Sequence, residues 1–346
     1  MLPAAPAKAS YLRHFDASNV ELMGPDPRAI ANYGLGMTSS GSGEAGERVA
    51  LRVEIAGRTL GHVRRELAVV AHGLDDILAP AARAMPPAGR DGWLLRSLPR
   101  GRLPALAAGL DGWLVAERQA YPRHYVPMAG QGFDAWWQGF SSKTRSTLSR
   151  KARRLADQFP GGTSVRGYRT AAEIDEFMGI AGALSAQTYQ ARLMQAGLPA
   201  SDADRARAVG AAAHDKVRAF LLFAGERAIA YLYLPVERDI LIYAHLGYDP
   251  AFAALSPGTV LHVEAMRALF AEERFRAFDF TEGDGAHKAQ FGRASVDCAD
   301  ILVLRPTLRN RAAIGLMNGA DRLAGAAKYL LDHLGLRAKA RALIRR

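Results

Sequence analysis

Disulfide chemistry is excluded first. The 346-residue chain has one cysteine, Cys298, so it can form neither an internal disulfide nor a multi-cysteine metal site. It has no apolar run near the roughly 20 residues that span a bilayer, and no long apolar core follows the opening "MLPAAPAKAS". That pattern predicts a soluble, cytoplasmic protein. Its nine histidines form no H-E-x-x-H pattern, no G-x-x-x-x-G-K-S/T loop occurs, and "GALSA" lacks the second glycine of a nucleophile elbow. Zinc hydrolase, P-loop and elbow-serine chemistry therefore find no support, and no metal is expected. "GSGEAG" at 41–46 matches G-x-G-x-x-G literally, but its strand follows where a dinucleotide site needs one in front, so it is read as a loop.

What is present in excess is positive charge, +11 overall. From Arg305 to the end there are ten Lys or Arg against Asp321 and Asp332. A second concentration lies in "SSKTRSTLSRKARRL", where Lys143, Arg145, Arg150, Lys151, Arg153 and Arg154 are unopposed. Two patches rather than a uniform coat point to phosphate, acidic polymer or anionic membrane partners, or to solvated helix faces.

The length and the 49% hydrophobic content accommodate two cores. Up to about residue 115 the pattern is loose: "ERVALRVEIAG" alternates like a strand and "VRRELAVVAHGLDDIL" reads as a helix. "SSKTRSTLSRKARRLADQF" spaces Leu148, Ala152, Leu155, Ala156 and Phe159 as a helix would, with Ser141 or Ser142 as N-cap. A further helix, "AAEIDEFMGIAGALSAQTYQARL", precedes three strand-like runs, "VRAFLLFAG", "RAIAYLYLPVE" and "DILIYAHLGYD". Turn signals at Gly225 and at Arg238–Asp239 make these an antiparallel meander. Then come a helix opened by Ser256, Pro257 and Gly258, the strand "FRAFDF", the loop and short helix "GDGAHKAQFG", and a closing strand "ADILVLRP". The fold class is mixed α/β with a mostly antiparallel sheet.

A helix opened by Ser-Pro-Gly presents backbone N–H groups and a positive dipole end, a setting that suits a pyrophosphate. The strand after it ends among Asp279, Glu282 and Asp284, carboxylates able to act on what that cofactor delivers. His287 is placed to titrate near neutrality, and Lys288 to pair with Glu282 or Asp284 or to bind an anionic acceptor. Strict alternation puts His245 and Tyr243 on one strand face and Leu246 on the other.

In this order, "GYDPAFAALSPGTVL", "FRAFDFTEGDGAHKAQFG", the basic helix and "AQTYQARL" resemble the GNAT acyltransferases, more narrowly the CelD/BcsL type associated with cellulose and exopolysaccharide biosynthesis. The resemblance covers about residues 115–305. It implies domains at 1–115 (a degenerate GNAT-like first lobe, as in the distantly similar Fem-type ligases), 116–305 (acyl-CoA-binding) and 306–346 (a basic helical tail). It also implies acetyl-CoA or another acyl-CoA as co-substrate and a sugar, polysaccharide precursor or amine as acceptor. Mapped here, Leu246 and Gly247 face the acyl carbonyl, while Ser256, Gly258 and Thr259 hold the pyrophosphate, Gly258 by allowing its close approach. Glu282 or Asp279 serves as base; the competing role for Asp279 is holding a turn. Relatives often carry Tyr where this chain has His287, which puts a tyrosine acid in doubt here. Tyr189, Gln190 and Arg192, with His245 and Tyr248, are acceptor-contact candidates beside Asp284 and Lys288.

The rival readings are a Fem-type ligase taking an aminoacyl group from tRNA and a non-catalytic nucleic-acid or membrane binder. The basic helix lacks interleaved aromatics for single-strand stacking. The tail either packs its apolar side on the body or lies on an anionic membrane surface.

Overall fold

The computed structural model describes residues 47–55, 58–186, 197–283 and 285–333. The loop at 41–46, the acceptor candidates Tyr189, Gln190 and Arg192, and Asp284 lie outside the described residues.

Along the chain the elements are β1 (Glu47–Ile55), β2 (Arg58–Ala71), α1 (Leu74–Leu78), β3 (Gly92–Pro99), α2 (Leu103–Ala108), β4 (Leu114–Pro127), α3 (Phe133–Gln138) and α4 (Ser142–Gln158). There follow β5 (Thr163–Tyr168), α5 (Ala171–Ala186), α6 (Asp202–Ala213), β6 (Val217–Ala224), β7 (Arg227–Glu237), β8 (Ile240–Ile242) and β9 (His245–Tyr248). The last are α7 (Pro257–Ala271), β10 (Ala277–Asp279), α8 (Ala286–Phe291), β11 (Ala294–Leu304) and α9 (Leu308–His333). Two compact units divide them. Pro122–Ser295 forms one, and the described parts of Thr38–Tyr121 and Val296–Arg346 form the other. The C-terminal helix, expected as a separate tail from residue 306, thus groups with the N-terminal elements.

In the first unit the strand order is β4-β10-β8-β7-β6-β5, with β9 pairing β7. The neighbours are antiparallel except β8 and β10, and that parallel pair is joined through α7, the crossover a parallel pair requires. The meander turns fall where the sequence marks them, with Gly225 (φ 59°) and Arg238 (φ 57°) in left-handed conformation. Alternation sorts the strands into two cores. Phe220, Leu222, Ala230, Leu232 and Leu234 face Leu148, Leu155, Leu261 and Met266 of α4 and α7. Ala219, Leu221 and Tyr231 face Ile174, Phe177 and Ala208 of α5 and α6. Ser141 caps α4, its Oγ accepting from the Thr144 N–H at 3.1 Å.

The second unit holds β1-β2-β3-β11, with β2 and β3 parallel. The segment expected as a helix from Val63 is instead the second half of β2, and only Leu74–Leu78 coils. The reason is tertiary: β2 is a central strand, antiparallel to β1 and parallel to β3, and that pairing overrides local helix preference. Arg65 breaks the apolar pattern yet is buried, because its Nε donates to Asn310 Oδ1 at 2.7 Å and its Nη2 to the Arg309 carbonyl at 2.9 Å.

Candidate active site

Two strands that begin together part company at Tyr243. Ile240–Ile242 pair Ala277–Asp279 in parallel, and the Tyr243 N–H donates to the Asp279 carbonyl at 2.9 Å. From His245 onward the chain pairs only β7, in the register Tyr233↔His245, Leu232↔Leu246 and Tyr231↔Gly247. Among the described residues no strand is hydrogen-bonded to the other edge of β9. The backbone of Leu246 and Gly247 therefore borders a gap that opens beside the end of β10.

The break at Tyr243 and Ala244 shifts the alternation by one residue, which corrects the expected facing. Tyr243 packs with Leu246 and Tyr248 on the α7 side. His245 lies against Tyr233, ring centroids 6.3 Å apart, on the side of α5 and α6. Burial pushes the His245 imidazole down to about 4, with Asp204 opposing the shift. Gly247 has no side chain because the ring of Tyr231, fixed by a 3.1 Å hydrogen bond to Ser185 Oγ, occupies the position of a Cβ.

The turn into α7 differs in detail from a simple phosphate cradle. Ser256 is left-handed (φ 55°, ψ 47°), and its carbonyl accepts from the N–H groups of Thr259 (3.0 Å) and Val260 (3.3 Å). Pro257 has no N–H, so this mouth offers fewer donors than a regular helix start. At Gly258 a Cβ would come within 2.8 Å of Leu246 Cδ2 and 3.4 Å of Tyr248 Cδ1. The space cleared by Gly258 lets Leu246 pack against the start of the helix. The side chains of Ser256 and Thr259 are half-buried at the same end of the helix.

The carboxylates are unlike one another. Asp279 has 0% exposure and is gripped by Arg123, itself 5% exposed: Nε to Oδ1 at 3.1 Å and Nη2 to Oδ2 at 2.6 Å. Its Oδ1 also accepts from the Thr281 N–H at 2.8 Å. A carboxylate so engaged holds β10, β4 and the following turn together, the competing role weighed in the sequence. Glu282 is half-buried, and its backbone carbonyl accepts the Lys288 Nζ. Lys288, 9% exposed, thus closes the loop between β10 and α8.

His287 is not poised near neutrality. Its ring stands among Phe291, His262, Tyr243 and Phe280 at centroid distances of 4.7, 5.2, 5.7 and 6.1 Å. Burial, then the charges of Lys288 and Lys151, push it down to about 4. Its Nε2 lies 3.3 Å from the Tyr243 hydroxyl, whose own ionisation burial pushes up. His262 of α7 completes the cluster. It is fully buried with no hydrogen-bond partner on either ring nitrogen, and burial together with His287 holds it well below the usual range. At neutral pH the pair is a tyrosine hydroxyl beside a neutral imidazole.

Tyr243, His262 and Arg123 escaped the sequence reading. Nothing in "LIYAHLGYD" marks a strand break, since neither Gly nor Pro stands at 243–244. His262, a polar residue on the otherwise apolar side of "VLHVEAMRALF", was the one available signal. A cavity lined by Met128, Gln131, Phe270 and Phe275 sits at the C-terminal end of α7 and touches none of the candidate residues. Among the described residues no cluster of three or more His, Cys, Asp or Glu is arranged for a metal ion.

Residues 142–289 match the family model described as Acetyltransferase (GNAT) domain. No curated protein matches the chain. Among solved structures, a DUF2156 C-terminal domain from Agrobacterium fabrum is similar at 14% identity and TM-score 0.43, over 66% of this chain and 71% of its own. L-PGS from Bacillus licheniformis is similar at 13% and 0.40, over 67% and 73%. FemX is similar at 11% and 0.40, over 63% and 70%. None of the three fixes a substrate for this chain. The parting of β9 from β10 and the turn into α7 both fall inside the matched span, and residues 142–289 are a GNAT-type acyltransferase domain.

Proposed function

We propose that the chain transfers an acyl group from acyl-CoA to an amine or hydroxyl by direct attack on the thioester, in the gap beside β9. The observation that carries this reading is the switch at Tyr243, which leaves one edge of Leu246–Gly247 without a strand neighbour among the described residues. A backbone edge of that kind supplies N–H groups to a carbonyl on which negative charge develops. The Ser256 and Thr259 side chains at the mouth of α7 are the residues that would hold the pyrophosphate. Gly258 contributes by letting Leu246 pack.

Glu282 takes the proton of the attacking amine or hydroxyl. Its partial exposure beside the end of β10 supports this assignment, while the engagement of Asp279 by Arg123 and Thr281 supports a positioning role for that carboxylate. The Tyr243 hydroxyl is the proton source for the departing sulfur, and His287 orients it through the 3.3 Å contact. A sugar or polysaccharide precursor of the cell envelope is the acceptor class that the sequence resemblance favours.

The test is thiol release from acetyl-CoA across a panel of amino sugars, sugars and simple amines. Acceptor-dependent release that falls sharply in Glu282→Gln supports the reading. No release above the uncatalysed rate with any acceptor, from folded protein that does bind acetyl-CoA, would overturn the reaction.

A further inference from the structure

Helix α9 has two unlike faces. Asn310, Ala313, Met317 and Ala320 are buried, with Met317 and Ala320 packed among Leu51, Leu302 and Leu304. On the other side Leu308, Leu316 and Leu323 are 86%, 56% and 61% exposed. At 3.6 residues per turn these three fall within about 80° of arc, with exposed Ala312 between them. The helix has already found its packing side, so a second, leucine-bearing stripe is surplus to folding.

The surroundings of the stripe are cationic. Arg311 and Arg322 are exposed on one flank and Arg309 on the other. Of the two acids in the helix, Asp321 lies opposite the stripe and is tied to Arg118 at 2.9 Å, and Asp332 falls in its last turn. From residue 324 onward the sequence adds six further Lys or Arg against Asp332.

We propose that this face of α9 docks on an anionic lipid bilayer, the leucines entering the headgroup boundary and the arginines meeting lipid phosphates. Charge selects the occupant. A second copy would set Arg309, Arg311 and Arg322 against their own equivalents, and a nucleic acid would leave the leucines in water, whereas an anionic bilayer satisfies both. No helix among the described residues is long and apolar enough to cross a membrane, so the contact lies in the plane of the surface.

The experiment is cosedimentation of the full chain with phosphatidylcholine vesicles, with and without phosphatidylglycerol. Binding is expected only to the phosphatidylglycerol vesicles and is weakened by salt. The variant Leu308→Ser/Leu316→Ser/Leu323→Ser should lower the partition coefficient about tenfold or more, with an unchanged far-UV circular dichroism spectrum. Arg311→Gln/Arg322→Gln should lower it less and flatten the salt dependence. Should the triple variant misfold, Leu316→Ser alone carries the same sign. No binding of wild type to phosphatidylglycerol vesicles at low salt would overturn the proposal. So would undiminished binding by the serine variants, or leucine-dependent self-association without lipid binding.

Discussion

The Tyr243 hydroxyl and His287 Nε2 lie 3.3 Å apart, one from the break between β8 and β9 and the other from α8. The pairing joins the strand that leaves the sheet to the helix behind β10. Burial, with the charges of Lys288 and Lys151, pushes the His287 imidazole down to about 4 and so keeps it neutral beside that hydroxyl.

That depression has a pH signature. His287 and His245 both sit near 4 in the folded chain against about 6.5 when unfolded. Between these values the unfolded state binds protons that the folded state does not, so stability rises with pH. Stability should be fully present above about pH 7 and fall as pH drops from about 6.5 to 4, by at most about 3 kcal/mol for each histidine. Urea unfolding of wild type and His287→Gln at neutral and acid pH checks this. The variant should show a shallower decline.

Removing one partner of the Arg123–Asp279 pair leaves the other charged and buried. Asp279→Asn and Arg123→Met should each destabilise the protein by about 3–5 kcal/mol, measured as a lower urea midpoint. Turnover per folded molecule of Asp279→Asn should fall less than that of Glu282→Gln.

Glu282→Gln should reduce acceptor-dependent thiol release by about a hundredfold or more and leave acetyl-CoA affinity unchanged. A matched loss of binding would instead mark Glu282 as part of the loop that shapes the pocket.

Gly247→Ala places a methyl group where the Tyr231 ring stands. Overpacking of this kind costs about 1–3 kcal/mol, and the variant should also weaken acetyl-CoA binding because β9 must shift. Gly247→Ala/Tyr231→Ala should recover part of the binding, a coupling that calorimetry reads directly.

The fold of Pro122–Ser295 was legible because its elements announce themselves. Gly225 and Arg238–Asp239 mark turns, Ser141 caps α4, and Pro257 opens α7. The N-terminal elements were less so: β2 carries a run that suits a helix and is a strand because β1 and β3 flank it. Within the site, the titratable residues of 279–288 were visible as a group, but their division of labour was not. Asp279 is defined by Arg123, a residue 156 positions away in sequence. The facing of Tyr243 and His245 depends on a strand break that no local residue signals.

The central claim is that the gap beside β9 binds an acyl-CoA, and isothermal titration of the full chain with acetyl-CoA tests it most directly. One site per chain, with affinity in the micromolar range and weakened by Gly247→Ala, is the predicted result. Absence of heat at high micromolar acetyl-CoA, from protein that is folded by circular dichroism, would contradict the account.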